Sequence, residues 1–352
     1  MSRQRIAEIA HAEREYGIIF PGQVEFLPPE FANDCQLAFD AQPTLVTVTN
    51  GGIPAYLTNY MDPDLIKVLV SPMKGAEIFG EVKKGDWVTK TATFPIVENT
   101  GETSAYGDYN ENGSVGINTN FPQRQSFHYQ TVTQWGEKWL EEMGLAKIGA
   151  AAQLNIASAQ VLNKFQNQTY FFGVSGLQNY GILNDPNLTA AIQPGAKVFG
   201  SAAHGPWITS GVVTATANEI YSDIQSLFVT LVSQSAGLIQ MDTPMTLAMS
   251  PGSEVALTAT NSFNVNVADL IAKNFPNITV KTAVEYATTA GNVVQMIANS
   301  VEGQDTGYCA FTEKMRAHPI VVEMSAFRQK KSQGTWGFIN RQPFAIAQML
   351  GV

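Results

Sequence analysis

The sequence has few charged residues and almost no cysteine. Asp, Glu, Lys and Arg make up 14% of its 352 residues, whereas about 25% is usual in soluble domains. The two cysteines, Cys35 and Cys309, are too few and too far apart for a disulfide framework or a CxxC metal site. A polar surface with little charge suits a protein whose faces meet copies of itself, although an ordinary secreted or structural domain of low charge would look alike.

Clusters of basic residues and long apolar runs are also lacking. The net charge is −9, whereas proteins that condense nucleic acid use grouped Lys and Arg to displace the counterions of phosphates. We therefore expect any nearby DNA to be enclosed by the protein, without sequence-specific binding. No stretch approaches the ~18 apolar residues of a membrane span, and the N-terminus has no apolar segment like that of a signal peptide. These absences predict synthesis in a cytoplasm and no membrane partner.

The motifs of common enzymes are missing as well. There is no GxxxxGK[ST] phosphate loop, no GxGxxG after a strand, no GxSxG elbow and no HExxH helix. Cys309 and His318 have no spacing typical of a nucleophilic dyad. The sequence therefore predicts no cofactor, no metal and no catalytic residue. It favours a structural protein over an unrecognised hydrolase or lyase.

The N-terminal residues predict an arm. Residues 3–16 have the apolar spacing of a short amphipathic helix. The prolines that follow, at 21, 28 and 29, exclude a continuous helix and leave an extended segment from about 17 to 50. Such an arm is suited to reaching a neighbouring subunit, and the alternative is a helix folded back onto its own domain.

Residues 81–129 alternate in the manner of a long two-stranded β excursion, with Trp87 and Phe94 among its apolar positions. Its tip contains four acidic residues and no Lys or Arg: Glu98, Glu102, Asp108 and Glu111. An isolated hairpin is only marginally stable in water, so we expect this one to lie against something else. The acidic residues lack the spacing of a calcium loop, which favours a solvated tip.

Residues 132–172 predict the strongest helix of the chain, because Trp135, Trp139 and Met143 recur at helical spacing. About 35 residues would span about 50 Å at ~1.5 Å per residue. We interpret the two tryptophans as part of a packed face rather than as a platform for bases or a cofactor.

From Met245 onward strands and helices alternate. MTLAMS predicts a strand, the next two segments predict helices, and four strands follow, the last of them over 320–327. This order predicts an α+β or α/β domain around a mixed sheet. The final segment, GTWGFINRQPFAIAQML, alternates again and is expected to return to an earlier sheet.

This order of elements resembles that of tailed-bacteriophage major capsid proteins. GLQNYGILNDPNL, from Gly176 to Leu188, is similar to the GLLN turn that follows the spine helix in phage capsid proteins and encapsulins. MTLAMSPGSEVAL, from Met245 to Leu257, looks like the strand and proline-started helix of their apical domain. The resemblance implies the α+β capsid fold, with an N-terminal arm, an extended β loop, a long spine helix, a peripheral domain and an apical domain.

The resemblance also implies a division of the chain. It gives an N-terminal arm at 1–50, the start of the peripheral domain at 51–77, the extended β loop at 78–130, the peripheral domain with its spine helix at 131–214, the apical domain at 215–330, and a strand returning to the peripheral domain at 331–352. The implied subunit-interface residues lie on the loop and the spine: Trp87, Phe94, Glu98, Glu102, Tyr106, Tyr109, Trp135 and Trp139.

The implied function is a subunit that assembles with itself, through hexamers and pentamers, into an icosahedral shell around double-stranded DNA. Scaffold, portal and decoration proteins are further partners that the resemblance allows. The protein would reside in the virion after assembly in the cytoplasm of a bacterial host. An encapsulin, which has the same fold and encloses an enzyme cargo, is the nearest alternative.

Overall fold

The computed structural model describes residues 72–145, 149–198 and 204–352, together with His11. The rest of the predicted arm at 1–50, and the segment 51–71, lie outside the described residues. The described residues from 72 onward belong to one compact unit, Pro63–Val352. Helices and strands are mixed along these ranges, in agreement with the predicted α+β class.

The helices of the described ranges are α1 (Gly75–Phe79), α2 (Glu137–Leu145), α3 (Ala150–Phe172), α4 (Ala217–Gln234), α5 (Pro251–Ala256) and α6 (Val267–Asn274). Polar side chains satisfy the free N–H groups at several of their N-termini. At α4 the Thr216 side chain accepts from the N–H of Glu219, whose carboxylate accepts from the N–H of Thr216 at 2.7 Å. At α6 the side chain of Asn266 accepts from the N–H of Asp269. Each cap stabilises its helix by about 1 kcal/mol.

Eight strands of the described ranges precede α4, and all of them except β6 are short. They are β1 (Glu81–Lys83), β2 (Thr91–Thr93), β3 (Ile96–Gly101), β4 (Val115–Asn120), β5 (Gln123–Gln125), β6 (Phe127–Gly136), β7 (Ile208–Thr209) and β8 (Val212–Val213). The C-terminal half adds β9 (Met245–Met249), β10 (Ile278–Thr282), β11 (Ala287–Thr288), β12 (Gly291–Ala298), β13 (Ser300–Val301), β14 (Gln304–Asp305), β15 (Gly307–Ala317), β16 (Val321–Glu323), β17 (Ala326–Asn340) and β18 (Ile346–Leu350).

The first sheet is built around β17, which pairs antiparallel with β6 on one edge and with β15 and β16 on the other. β1 adds in parallel to β15. One face of this sheet carries Cys309 and Phe338, which pack with Phe171 of α3. The other face carries a smaller apolar cluster, which we call the Tyr308 cluster: Tyr308, Ala310, Trp336 and Ile339. The sheet is therefore covered differently on its two faces.

The second sheet has the order β10, β9, β12, and β12 then pairs with β18 and, at its start, with β11. Every residue of β9 is buried, as expected for a strand covered on both faces. The largest core lies against this sheet, and α4 contributes four buried residues to it at helical spacing: Ile220, Ile224, Leu227 and Leu231. Each such side chain stabilises the fold by about 2 kcal/mol.

The helix predicted over 132–172 is wrong at its N-terminal end. Residues 127–136 form β6, so Trp135 lies on a strand and the helix begins only at Glu137. The segment QTVTQW has three consecutive β-branched residues, Thr131 to Thr133, and it pairs with β17 along its whole length. The spacing of four residues between Trp135 and Trp139 fits a helix and a strand alike. The pairing with β17 makes the segment up to Gly136 a strand.

The helical part of this segment is α2 followed by α3. α3 has 23 residues and spans about 35 Å, which is shorter than the predicted helix. Gly144 and Gly149 lie at the ends of the described helical parts, and glycine lowers helix stability by about 1 kcal/mol relative to alanine. α3 is the longest helix of the described residues.

Most of the elements predicted in the C-terminal half are present. MTLAMS is confirmed as β9, and the two helices after it as α5 and α6, although α5 is shorter than predicted. The single strand predicted over 320–327 is wrong, because β16 and β17 form a hairpin there, with Met324 at the turn at a φ of +49°. The final segment pairs with earlier strands but is divided between the sheets: β17 runs in the first sheet to Asn340, whereas β18 joins the second sheet, so 331–352 is not one strand.

Candidate functional site

A long hairpin between residues 91 and 125 carries most of the predicted interface residues, and we call it the extended hairpin. β2 pairs with β5 at its base, and β3 pairs with β4 beyond them. Every residue of β4, and every residue of the turn that connects β3 to it, is exposed. A two-stranded hairpin exposed on both faces has little buried surface of its own to stabilise it.

The register makes the extended hairpin amphipathic, because directly paired residues have side chains on the same face. The pairs of one face are Val97 with Thr119, Asn99 with Ile117, and Gly101 with Val115. The pairs of the other face are Ile96 with Asn120, Glu98 with Asn118, and Thr100 with Gly116. The first face, which we call the apolar face, exposes three large hydrophobic side chains, whereas the second exposes one.

The end of the extended hairpin is acidic. Residues 91–123 contain four carboxylates and no Lys or Arg, and all four are exposed: Glu98, Glu102, Asp108 and Glu111. Tyr106 and Tyr109 are fully exposed beside them. The N–H of Glu102 donates to the carbonyl of Ser114 at 3.0 Å, which closes the turn. We call residues 98–111 the acidic tip.

The base of the extended hairpin is fixed to the rest of the chain. Phe94 packs against the Tyr308 cluster. Arg124 is buried, and its Nη2 lies 2.9 Å from Oδ2 of the buried Asp185. The same guanidinium lies over the ring of Tyr180, 4.7 Å from the centroid. Breaking a buried ion pair costs about 3–5 kcal/mol, so this clamp holds the hairpin base in one place.

Asp185, the acidic partner in the clamp, ends a turn that begins at Gly173. We call residues 173–185 the glycine turn. Gly173 ends α3 at a φ of +63°, a conformation that favours glycine. The side-chain amide of Asn179 donates to the carbonyl of Gln125 at 3.1 Å and to that of Thr335 at 3.2 Å. The glycine turn therefore joins α3, the hairpin base and β17. It overlaps GLQNYGILNDPNL, from Gly176 to Leu188, which is one of the two segments that carry the sequence resemblance.

Trp87 lies beside the hairpin base. Its ring meets His128 edge to face, with 4.5 Å between centroids, and the guanidinium of Arg316 lies 5.8 Å from it. Burial lowers the pKa of His128, and the carboxylate of Glu313 opposes this lowering. The imidazole is therefore mainly neutral at pH 7 and packs as an aromatic ring.

The two predicted spine tryptophans lie apart from the acidic tip. Trp135 of β6 stacks on Phe327 of β17, with 6.1 Å between ring centroids. Trp139 lies on α2 and is partly exposed. The structure thus places six of the predicted residues on or beside the extended hairpin and two around the start of α2.

Two cations share the ring of Tyr308, and no sequence pattern pointed to them. Nζ of Lys84 lies 5.5 Å and Cζ of Arg341 lies 4.9 Å from its centroid. Neither forms an ion pair with a carboxylate in the described part of the chain. Tyr308 is only 5% exposed, and its hydroxyl has no hydrogen-bond partner among the described residues. We call this arrangement the Tyr308 cation pair.

A second buried ion pair lies in the segment that precedes the second sheet. Nζ of Lys197 is 2.6 Å from Oδ2 of Asp223, and both side chains are buried. Nε1 of Trp207 donates to the same oxygen at 2.7 Å, and the N–H of Gly195 donates to the other at 2.9 Å. Asp223 therefore ties this segment to α4. The spacing of Lys197 and Asp223 in the sequence does not predict this pairing.

The described residues include Cys309 and His318, the two residues weighed above as a nucleophilic dyad. Within them, no group of three or more His, Cys, Asp or Glu side chains is close enough to hold a metal ion. Cys309 is fully buried and burial raises the pKa of its thiol, so the reactive thiolate is disfavoured. Nε2 of His318 lies 3.1 Å from Oγ of Ser332. No helix in the same ranges is long and apolar enough to cross a membrane.

The sequence matches the family described as Pa193 gp26 major capsid protein over residues 44–351. A search of curated proteins found no match to the chain.

Solved capsid structures share the fold. The chain is similar to the capsid of Myoviridae phage XM1, with a TM-score of 0.71 and 12% identity over 86% of this chain and 100% of that one. It is also similar to a structure from Gordonia phage Cozz, with a TM-score of 0.56 and 10% identity over 88% and 98% of the two chains. The capsid of cyanophage P-SCSP1u gives a TM-score of 0.53 and 9% identity over 95% and 99%.

Proposed function

The chain belongs to the Pa193 gp26 major capsid protein family, and from this premise we propose that its copies assemble through hexamers and pentamers into an icosahedral shell. The family makes it a shell-forming protein of the bacteriophage virion. The ring sizes, assembly in the host cytoplasm and a content of double-stranded DNA are what the proposal adds. A closed shell requires every copy to offer surfaces that are complementary to those of other copies.

The observation that carries the proposal is the extended hairpin. It projects three large hydrophobic side chains of its apolar face into solvent, and none of them belongs to the cores of the described residues. Burial of apolar area on association stabilises a complex. A neighbouring copy would therefore receive the apolar face, and the predicted interface residues Tyr106 and Tyr109 would lie at the far end of the contact. Tyrosine is enriched at such interfaces.

We propose that the two sheets correspond to the two domains of the capsid fold. The first sheet, with α3 and the extended hairpin, would form the peripheral domain, so residues 307–330 would belong to it and not to the apical domain that the sequence resemblance implied for 215–330. The second sheet, with α4, α5 and α6, would form the apical domain and meet other copies near the ring axis. Because β15 and most of β17 pair within the first sheet while β18 pairs within the second, the chain would cross between the domains more than once.

The role assigned here is structural. With a net charge of −9, the protein would enclose DNA without binding its phosphates tightly. Scaffold, portal and decoration proteins would be its further partners during assembly. Trp87, Phe94 and Trp139 would act by holding or flanking the contacts between copies, and no residue would act as a catalyst.

The test is to express the protein, alone and with candidate scaffold proteins, and to measure mass by size-exclusion chromatography with light scattering and shape by electron microscopy. We expect rings of five and six copies or closed shells. A folded 38.2 kDa monomer that persists at high concentration under all of these conditions would refute the proposal. Shells that hold a protein cargo and no DNA in the native host would favour the encapsulin alternative.

A further inference from the structure

Charge is distributed unevenly along the extended hairpin and its base. Its outer part contains four exposed carboxylates and no cation between residues 91 and 123. The segment just before it, residues 81–90, contains three lysines, Lys83, Lys84 and Lys90, against the two carboxylates of Glu81 and Asp86. None of these lysines forms an ion pair in the described part of the chain. The acidic end and the lysines at the base therefore have opposite charge, and two copies could bring them together.

The Tyr308 cation pair differs from the other cation–aromatic contacts of the described residues. Arg124 lies over Tyr180 and pairs with Asp185, Lys314 lies over Phe311 and pairs with Glu81, and Arg316 lies over Trp87 and approaches Glu313 at 3.8 Å. Lys84 and Arg341 lack such a carboxylate among the described residues. Two like charges on one aromatic ring repel each other, and an anion placed beside them would remove that cost.

The cation pair is held in position by the backbone. The N–H of Lys84 donates to the carbonyl of Phe311 at 2.9 Å, and its own carbonyl accepts from Nε1 of Trp336 at 2.9 Å. The N–H of Arg341 donates to the carbonyl of Thr306 at 2.9 Å. Arg341 is exposed and Lys84 is half-buried. The site is therefore preorganised and open to an incoming group, which lowers the ordering cost of binding.

The acidic tip of the same copy does not fill this site. Phe94, at the hairpin base, packs against the Tyr308 cluster. The ladder of β3 and β4 then extends the chain by about 20 Å at ~3.3 Å per residue. All the acidic residues of the hairpin beyond Phe94 are exposed, and none forms an ion pair within the described part of its own copy.

We propose that the acidic tip of one copy binds the Tyr308 cation pair of another copy. The partner is a second molecule of this chain, because each copy presents both the tip and its complement, and the described residues pair neither of them. The contact is head to tail, and repeated head-to-tail contacts close into rings. Carboxylates between Lys84 and Arg341 form charge-assisted hydrogen bonds there. This inference rests on the proposed shell function and names the contact through which the hairpin would act.

A charge exchange tests the contact. One variant carries Lys84→Glu and Arg341→Glu, and a second carries Glu102→Lys, Asp108→Lys and Glu111→Lys. We expect each variant alone to lower the yield of rings or shells about tenfold, and we expect the combined variant to restore most of the yield, because both signs are then reversed together. Circular dichroism of each purified variant checks that it is folded.

The control reverses two exposed lysines elsewhere, Lys138 of α2 and Lys273 of α6, by Lys138→Glu and Lys273→Glu. Combined with the tip variant, this change should leave the yield low, although it alters the net charge as much as the change at Lys84 and Arg341. Failure of the combined variant to recover, or equal recovery with the control, would overturn the inference. Neither outcome would overturn shell formation itself, which wild-type particles establish independently.

Discussion

Gly337 lies on β17 where the glycine turn crosses it. Its φ is +72°, a region that glycine adopts far more readily than other residues. A Cβ at this position would also overlap the carbonyl oxygen of Tyr180 and would lie 2.5 Å from Oδ1 of Asn179. The requirement for glycine thus comes from a turn that lies far earlier in the sequence.

We expect Gly337→Ala to destabilise the subunit by about 3 kcal/mol or more, because it combines an unfavourable φ with a clash against backbone. Gly303→Ala is the matched control: Gly303 has a φ of +76°, but a methyl group there would meet no described atom within 4 Å. We expect it to cost about 1 kcal/mol. Urea unfolding of unassembled subunits measures both. Equal losses would show that the close approach of the glycine turn contributes nothing.

Asp223 offers a second test at the scale of single residues. Asp223→Asn keeps an acceptor for Trp207 but leaves the buried Lys197 without its counter-charge, so we expect a loss of about 3–5 kcal/mol. Adding Lys197→Met removes the uncompensated charge and should recover part of that loss. Urea unfolding of the two single variants and the double variant gives the coupling. Additive losses would contradict an ion pair that matters through its charge.

At the scale of elements, the sequence predicts the extended hairpin, but it predicts the next strand, β6, only in part. Alternating residues and an unbroken acidic tip identified the hairpin from local sequence, because both signals lie within it. Residues 132–136, the second half of β6, were predicted as helix because Trp135 and Trp139 fit a helical period, and only pairing with the distant β17 shows that they form a strand. The Tyr308 cation pair was invisible for the same reason, since Lys84 and Arg341 come from opposite ends of the described chain.

The two faces of the extended hairpin allow a comparison between identical residues. Ile117 lies on the apolar face and is 65% exposed, whereas Ile96 lies on the other face and is 48% exposed. We expect Ile117→Ser to weaken each contact between copies by about 1–2 kcal/mol, and so to raise the protein concentration needed for assembly about tenfold or more. Ile96→Ser should change it little. Light scattering across a dilution series measures both, and a larger effect at Ile96 would mean that the other face is the one buried.

At the scale of the whole molecule, assembly and stability are linked. Whatever binds the folded subunit and not the unfolded chain raises its apparent stability by mass action. Each copy in a shell would be bound by several others, so the shell should unfold at a higher temperature than the isolated subunit. The difference between the two unfolding temperatures measures how much the contacts between copies add to the thermal stability of the subunit.

Deletion of residues 98–114 should remove that difference. The deleted segment is exposed apart from the partly buried Thr100, so we expect the subunit to keep its helix content by circular dichroism and to melt at the temperature of unassembled wild type. Calorimetry and electron microscopy on the same samples check this. Shells of normal yield and normal melting temperature would show that the extended hairpin is dispensable.

The clamp between Arg124 and Asp185 also has a mechanical consequence. The hairpin beyond it is a stiff lever of about 30 Å, at ~3.3 Å per residue over about nine residues. A rotation of about 10° at this pivot would carry the acidic tip about 5 Å without breaking a rung of the β3–β4 ladder. Subunits of a curved shell meet at several inclinations, and we expect small rotations about the hairpin base to absorb the differences. The curvature that a shell tolerates would then be set by how far the base can rotate before the ion pair and the packing of Phe94 are lost.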